Sequence, residues 1–404
     1  MRKEIKRLAA DIGVISYPER FCEIYGTAMD DYEKNGCPYV EPDFYSALSR
    51  EYGILKNDLE LYKNTANEIG KNEDYTRFLH LLCFALRDEE YNFSDTAELK
   101  MPYTRDDEDA SPLDMLTALA ICSQIPSAAR KLEERNLPRE AYEAILSLPE
   151  VGLRVYRSYH GGKDGYSLIN WYQRTVTATL IPIKRLEMEV FASFTGFARI
   201  FKNKDGSVIS LADNFYLHRD GFALGARGYT DEEGSWLAEI EETDIAWTGY
   251  PFDERGFVKK ERVTLKKGEW ESVLKRGDPV VQLHIPASGR LTPELVEESI
   301  QAMRDFIAEY YPDFKYKAFA CGSWLLNPTL ENMLGCDSNI VKFGKLFTPL
   351  SMKASATSVF SFVFNTPDGV DDIEALPEKT SLQRIVKDYY LKGNALHETL
   401  GFFL

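Results

Sequence analysis

The sequence lacks any apolar run near the roughly 20 residues that a membrane-spanning helix needs; the longest, such as 79–86, are short. It also lacks an excess of basic residues, because its 48 Lys and Arg are outnumbered by 64 Asp and Glu, which gives a net charge of −16. Nucleic-acid-binding proteins normally carry a basic face, so this charge argues against a nucleic-acid partner. The basic first residues are interrupted by Asp11 and polar neighbours, which leaves no hydrophobic region of a secretory signal.

Paired cysteines are missing as well. The chain has six cysteines, with no CxxC pair and no regular spacing. They are Cys22, Cys37, Cys83, Cys122, Cys321 and Cys336. This distribution is typical of free thiols in a reducing compartment rather than of a disulfide framework or a zinc site. The sequence therefore predicts a cytoplasmic protein with no metal centre and no membrane partner.

The 404-residue chain is long enough for two or three domains. Its first part, 1–150, predicts a helical domain: Phe21, Ile24, Tyr25 and Ala28 recur at helical spacing in a segment that ends at Asn35 and Gly36. Further helices are predicted over 41–52, 57–69 and 75–86, and from Leu113, Pro126 and Arg139. An acidic stretch over 88–109 is interpreted as a solvated loop, since its spacing matches no EF-hand.

Residues 151–185 predict a connection between domains. The glycine-rich segment 159–166 contains neither GxxxxGK[ST] nor GxGxxG, so it is interpreted as a linker turn rather than a phosphate loop. A helix over 167–177 follows it. From 186 to 275 the period changes to two, which predicts an antiparallel meander. Its strands are expected over 189–200, 208–217, 236–240, 245–250 and 257–265.

The most informative stretch is a strand–turn–helix–strand unit within 276–365. A strand over 279–286 is followed by a turn containing Gly289, a helix over 292–311 with Thr292 as N-cap and Pro293 at its first position, and a strand over 314–321. The turn and the helix N-terminus could hold a phosphate. The C-terminal part, 366–404, is predicted to form one helix, over 382–391, and a tail. Before it, helices are expected over 328–334 and 338–343, and strands over 345–352 and 358–364.

The residues 283–289 and 319–328, joined by this long helix and followed by Ser338-Asn-Ile340, resemble the GNAT-like acyltransferase-domain family. In that family an all-helical N-terminal domain precedes a GNAT-like domain. The resemblance implies an α+β protein, with a helical domain over 1–150 and a GNAT-like mixed sheet with flanking helices over 186–404. It also implies acyl-coenzyme A, in the form of acetyl-coenzyme A, as co-substrate and an amine of a small-molecule acceptor as partner.

The resemblance also implies where acyl-coenzyme A binds. Its pantetheine arm would run along Leu283, His284 and Ile285. Its pyrophosphate would bind at the turn, at Ala287, Ser288, Gly289, Arg290 and Leu291. The strand 318–321 would diverge from the first strand to admit the acyl group. The turn carries a single glycine where the family has Gln/Arg-x-x-Gly-x-Gly/Ala.

Acyl transfer to an amine needs a base for the ammonium proton and an acid for the leaving thiolate. His284 is the candidate base, since its pKa is normally near the working pH. Cys321 and Ser323, at the end of the second strand, are candidates for the acid or a transient nucleophile. Packing roles remain open for His284, and for Cys321, because free cysteines are often buried.

Three functions remain open at this point. The first is a GNAT-like N-acyltransferase; the second is a non-catalytic acyl-coenzyme A or metabolite-binding protein with a degenerate GNAT fold. The third is a hydrolase that uses Cys321 and His284. The sequence leaves open whether the chain forms a homodimer.

Overall fold

The computed structural model describes residues 2–404 except for several short segments. Those left out are 88–98, 105–107, 168, 170, 172–173, 175–178, 227, 287–288, 354–356, 365 and 367–371. The chain divides into two compact units, Met1–Ile181 and Pro182–Leu404. Most of the predicted helix over 167–177 and most of the acidic stretch lie outside the described residues.

The first unit is helical, as predicted. Its helices are α1 (Arg2–Asp11), α2 (Glu19–Asn35), α3 (Pro42–Tyr52), α4 (Leu59–Gly70), α5 (Glu73–Leu86), α6 (Leu116–Glu134), α7 (Arg139–Leu146) and α8 (Leu148–Tyr159). Aromatic residues fill its core and satisfy their polar ends on the backbone: the Tyr45 hydroxyl donates to the Tyr39 carbonyl at 2.7 Å and that of Tyr62 to the Pro149 carbonyl at 2.9 Å.

One helix of this unit corrects the sequence prediction. Separate helices were expected from Leu113 and from Pro126, but α6 runs through Pro126, after a short 3-10 turn capped by Ser111. A proline inside a helix costs about 3 kcal/mol. The helix is buried on both sides of Pro126, at residues such as Ile125 and Ala129, and this tertiary packing outweighs the local cost.

The second unit is built on a six-stranded mixed sheet with the strand order β1-β2-β11-β12-β14-β13. The strands are β1 (Leu180–Ile183), β2 (Leu186–Ser193), β3 (Ala198–Asn203), β4 (Val208–Ala212), β5 (Phe215–Leu217), β6 (Trp236–Ala238), β7 (Glu241–Glu242), β8 (Ala246–Gly249), β9 (Val263–Lys266), β10 (Trp270–Lys275), β11 (Pro279–His284), β12 (Ala318–Ser323), β13 (Thr348–Ser351) and β14 (Thr399–Phe403). The mixed sheet with flanking helices confirms the predicted fold class.

The predicted meander is not one sheet. The expected strand over 189–200 is two strands, β2 and β3, because the chain turns at Phe194–Phe197, and only β2 joins the central sheet. The other strands form small sheets of two or three strands, in the orders β10-β3-β4, β5-β6 and β7-β8-β9. Strand β10, absent from the prediction, pairs with β3.

The strand–helix–strand unit is confirmed, with the second strand starting later than predicted. Helix α9 (Pro293–Tyr310) follows β11, and the next strand, β12, pairs with β11 in parallel. Val296, Met303 and Ile307 of α9 are buried, as the apolar periodicity of the segment indicates. The opposite face of the sheet carries Val280, Ala320 and Phe402, which pack against residues of β3 and β10.

In the C-terminal region one predicted strand is a helix, and one strand, β14, was not predicted. Residues 358–364 were expected to form a strand, but Thr357–Phe364 is helix α12. Val359, Phe360, Val363 and Phe364 lie on one face of this helix and enter a core cluster, so tertiary packing decides against their β propensity. The chain's last strand, β14, lies between β12 and β13. The remaining helices are α10 (Leu330–Leu334), α11 (Asn339–Gly344) and α13 (Ser381–Leu391).

No described helix combines the length and the apolar character that crossing a bilayer requires.

Candidate active site

The site begins with a gap between two parallel strands. β11 and β12 pair at three positions only, Val280 with Ala318, Val281 with Phe319 and Gln282 with Ala320. Beyond these pairs each strand continues beside its other neighbour. β11 pairs with β2 as far as His284, and β12 pairs with β14 as far as Ser323. The two parallel strands therefore separate at their carboxyl ends, which leaves backbone groups of both facing a gap.

Gly322 keeps one side of this gap open. It is exposed although it lies inside a central strand, and a Cβ atom built on it would have no heavy atom within 4 Å among the described residues. On the other side Leu283 is buried and Ile285 is partly buried. Both residues were predicted to line the pantetheine arm. Leu283 lies on β11, which borders the gap, and Ile285 follows the end of β11.

A carboxylate and an imidazole lie beside the gap. His284 ends β11, and its Nε2 atom is 2.8 Å from Glu189 Oε2 on β2, with both side chains largely buried. An ionised carboxylate only accepts hydrogen bonds, so it holds the proton on Nε2 and makes Nδ1 the basic nitrogen of the neutral ring. The pair is therefore suited to accept a proton and to stabilise the resulting imidazolium.

A bulge in β2 puts Glu189 on the same face of the sheet as His284. Ala192 pairs with Val280, and the next pair is Glu189 with Gln282, so β2 contains one extra residue. Phe191 within this bulge has φ +61°, a left-handed conformation that is strained for a bulky residue. Without the extra residue, Glu189 would point to the face covered by α9, because side chains alternate along a strand.

Glu187 lies on the same face as Glu189 and pairs directly with His284. Burial raises the pKa of Glu187, against the opposing influence of His284 and Arg185. Neither glutamate was predicted to belong to the site. The sequence signal is the alternation Leu186-Glu187-Met188-Glu189-Val190, which puts two carboxylates on one face of a strand.

The raised pKa of Glu187 predicts a pH-dependent stability. A carboxyl group whose pKa is raised by folding contributes stability below its unfolded pKa and loses it as the pH rises through the folded value. We therefore expect Glu187→Gln to raise the thermal midpoint at pH 7 and to change it little at pH 4. Thermal unfolding of both chains across pH 4–8 measures this, and an unchanged difference between the two chains over that range would contradict it.

The predicted pyrophosphate turn is partly described. Ala287 and Ser288 lie outside the described residues, Leu291 is buried, and Gly289 and Arg290 are exposed, with φ +73° at Gly289. Arg185, which was not predicted to belong to the site, donates from Nε to the Arg290 carbonyl at 2.9 Å. Its Nη1 atom is buried and has no hydrogen-bond partner among the described residues. A buried guanidinium nitrogen of this kind suits an anion.

The first turn of α9 supplies its own hydrogen-bond partners. Pro293 has no amide hydrogen, Leu295 N–H donates to Thr292 Oγ1 at 3.4 Å, and Val296 N–H donates to the Thr292 carbonyl at 3.1 Å. Hydrogen bonds with its own amide and with Thr292 lower the pKa of Glu294. An anion beside Gly289 would therefore meet the turn and Arg185 rather than the helix amides.

Cys321 and Ser323 differ in their surroundings. Cys321 is 1% exposed, and burial raises the pKa of its thiol to about 12, so it is protonated at neutral pH. Ser323 is partly exposed and its Oγ accepts a hydrogen bond from Leu325 N–H at 3.2 Å. The geometry favours a packing role for Cys321 and leaves the Ser323 hydroxyl hydrogen able to donate. The catalytic roles of both residues stay predictions.

One further carboxyl group lies near the end of β12. Glu398 precedes Thr399, the residue that pairs with Ser323. Burial raises the pKa of Glu398, against hydrogen bonds from the Ser358 hydroxyl and the Trp324 amide. Both hydrogen bonds hold chain segments together, which indicates a structural role. Across the described part of the chain, no three His, Cys, Asp or Glu side chains cluster in a way that could hold a metal ion.

The chain has relatives among known protein families and solved structures. The family model of the GNAT-like C-terminal domain matches residues 185–403. A crystal structure of an acyltransferase in complex with decanoyl-CoA and teicoplanin is 18% identical, with a TM-score of 0.56, over 89% of this chain and 86% of that one. An acyltransferase mutant in complex with octanoyl-CoA is 17% identical, with a TM-score of 0.55, over 89% and 87%. No curated protein matches the sequence. At these identities the solved structures show a shared fold.

Proposed function

We propose that this chain, which belongs to the family of the GNAT-like C-terminal domain, transfers an acyl group from acyl-coenzyme A to an amine of a small-molecule acceptor. The observation that carries the proposal is the gap at the carboxyl ends of β11 and β12. Backbone groups that face a gap can hydrogen-bond the amides of a pantetheine arm, and the open space at Gly322 leaves room for the thioester. The solved acyltransferases that share the fold contain acyl-CoA ligands, which supports this assignment.

The residues present suit acyl-coenzyme A in two places. Leu283, His284 and Ile285 would border the pantetheine arm. The turn at Gly289 and Arg290 would meet the pyrophosphate, together with the Arg185 Nη1 atom, which has no hydrogen-bond partner among the described residues. The net charge of the whole chain does not oppose this, because a site is governed by its local charges.

Acyl-coenzyme A supplies an activated carbonyl as a thioester. In the transfer, the acceptor nitrogen bonds to the carbonyl carbon, the carbon–sulfur bond breaks, the amine loses a proton and the thiolate gains one. His284 would take the amine's proton while Glu189 orients the ring and stabilises its charge. Ser323, on the β12 side of the gap, would donate its hydroxyl proton to the departing sulfur and regain one from solvent, while His284 would release the amine's proton to solvent.

The second candidate is a protein that binds acyl-coenzyme A without transferring the acyl group. It is favoured by the turn's single glycine and by the first turn of α9, whose amides already have partners. Calorimetric titration with acetyl-CoA and octanoyl-CoA tests binding and compares two acyl lengths. Thiol release in the presence of amines then tests transfer. Binding without thiol release favours this second candidate, and no binding of either thioester contradicts both.

Substitution of Gly322 tests the gap directly. We expect Gly322→Phe to weaken acyl-CoA binding by about tenfold or more, which corresponds to about 1.4 kcal/mol, because the ring would enter the open space beside β12. Thermal stability should change little, since an added Cβ has no heavy atom within 4 Å among the described residues.

Gly268, between β9 and β10, provides a matched control because a Cβ there also has no heavy atom within 4 Å among the described residues. Gly268→Phe should leave acyl-CoA binding unchanged. Equal affinities of the two variants and the wild type in calorimetry would mean that acyl-CoA does not occupy this gap.

A further inference from the structure

A second concave site lies beyond the carboxyl end of β12. It is a cleft of about 590 Å³, within the roughly 300–1,000 Å³ of small-molecule sites. Thr399, one of its lining residues, pairs with Ser323, the last residue of β12. Asn327, another, follows the short 3-10 helix Trp324–Leu326 that continues from β12. The cleft and the gap between β11 and β12 are therefore at the same end of the central sheet.

Aromatic rings from separate segments form much of the cleft wall. Tyr229 follows β5, Tyr389 belongs to α13, and His397 precedes β14, and all three are partly exposed. Phe222 is buried beside two of them, with its ring centroid 4.6 Å from that of Tyr229 and 4.8 Å from that of His397. The buried ring supports these two rings, which line the cleft together with Tyr389.

The segments that carry these rings are tied together. Asn327 is buried, its Nδ2 donates to the His397 carbonyl at 3.2 Å, and its Oδ1 accepts from the Thr329 amide at 2.9 Å. This amide therefore fixes the His397 segment to the chain that leaves β12. The cleft is a preformed feature, which lowers the entropy lost when a ligand binds.

The cleft has little net charge to offer a ligand. Among the described lining residues there is no Asp, Glu or Lys. Arg255 is held by Asp253, with Nη2 3.0 Å from Oδ2, and its guanidinium lies 5.0 Å from the Phe257 ring centroid. The cleft also offers neutral polar groups, for example the amides of Asn332 and Asn394. Recognition must rest on ring surfaces and neutral hydrogen bonds.

We propose that this cleft binds a neutral aromatic ring, and that the ring belongs to the acceptor whose amine is acylated at the gap. An added ring can stack on or pack edge-on against Tyr229, Tyr389 and His397, and each such pair is worth about 0.5–1.5 kcal/mol beyond its buried area. A hydroxyl on the ring can bond to the cleft amides. Only the assignment of the ring to the acylated acceptor rests on the proposed acyl transfer. Binding of the ring in the cleft can be measured separately.

The test compares two amines of closely matched shape with the full chain. By saturation-transfer NMR and titration, 2-phenylethylamine is expected to bind about tenfold more tightly than 2-cyclohexylethylamine, which has no π-system. Tyr229→Leu should remove this preference, whereas Tyr229→Phe should keep it. Tyr216→Leu, at an exposed ring on β5 outside the cleft, should also keep it. Circular dichroism and thermal midpoints check that each variant is folded.

Several outcomes would overturn the proposal. Equal affinity for the two amines, or a preference that survives Tyr229→Leu, means that the rings do not recognise an aromatic ligand. Binding of glucosamine that Tyr229→Leu abolishes, without binding of 2-phenylethylamine, replaces the aromatic ligand by a saccharide. Ring binding in a chain that fails to bind acyl-CoA contradicts the acyl transfer and the acceptor assignment, and leaves the ring site itself established.

Discussion

Replacement of His284 by Gln is expected to lower the rate of thiol release by about 10²–10⁴-fold, the range that general acid–base catalysis supplies. Glutamine can still donate a hydrogen bond to Glu189, so the substitution removes the basic nitrogen without leaving that carboxylate unpaired. The affinity for acyl-CoA should change by less than about threefold, because the backbone of β11 is kept.

Glu189→Gln should have a smaller effect than His284→Gln. An amide in place of the carboxylate no longer stabilises the imidazolium that forms when His284 takes the amine's proton, so thiol release should slow although the basic nitrogen is kept. Cys321→Ala is the control, since its thiol is buried and protonated at neutral pH. If Cys321→Ala abolished thiol release while His284→Gln did not, a cysteine-dependent reaction would replace the mechanism proposed here.

Deletion of Phe191 is expected to abolish acyl transfer and to destabilise the second unit strongly. Loss of the extra residue turns Glu187 and Glu189 towards α9 and brings Leu186, Met188 and Val190 out of the core, where each is at most 1% exposed. Removing one fully buried aliphatic side chain from the core costs about 1.5–3 kcal/mol, so three such losses exceed much of the usual stability of a domain.

Phe191→Gly is the matched control for the bulge. Glycine adopts φ +61° without strain, so the bulge and the position of Glu189 should persist and activity should stay within a few-fold of wild type. The lost ring contacts with Phe314, at 4.9 Å, should lower stability moderately. Thermal unfolding and thiol-release rates of the two variants measure these effects. An active deletion variant would show that the position of Glu189 is unimportant.

Much of the fold could be predicted from local sequence. The helices of the first unit follow from apolar residues at helical spacing, and α9 follows from Thr292, Pro293 and its buried stripe. Where local propensity opposed tertiary packing, the prediction was wrong. Residues 358–364 are rich in β-branched and aromatic residues and yet form α12 against a core cluster, and α6 continues through Pro126.

Local sequence predicted only part of the candidate site. The β11–α9–β12 unit and His284 were found because they are consecutive in the chain and carry local signals. Glu189 and Arg185 were missed because both are far from the rest of the site in sequence. Glu189 approaches His284 through strand pairing, and Arg185 approaches the Gly289 turn through loop packing. The one local sign of the bulge is the adjacent pair Val190-Phe191, which interrupts the alternation of β2.

The sequence by itself determined the order of a helical part and a mixed sheet, and the strand–helix–strand unit, because caps, periodicity and turns act between near neighbours in the chain. Only the tertiary structure decided which strands pair. Pairing opens the gap after Gln282 and Ala320, places Glu189 beside His284 and gathers the rings of the cleft. The reason is physical: hydrogen bonds between distant strands and the packing of a shared core depend on residues far apart in sequence, and no local pattern encodes them.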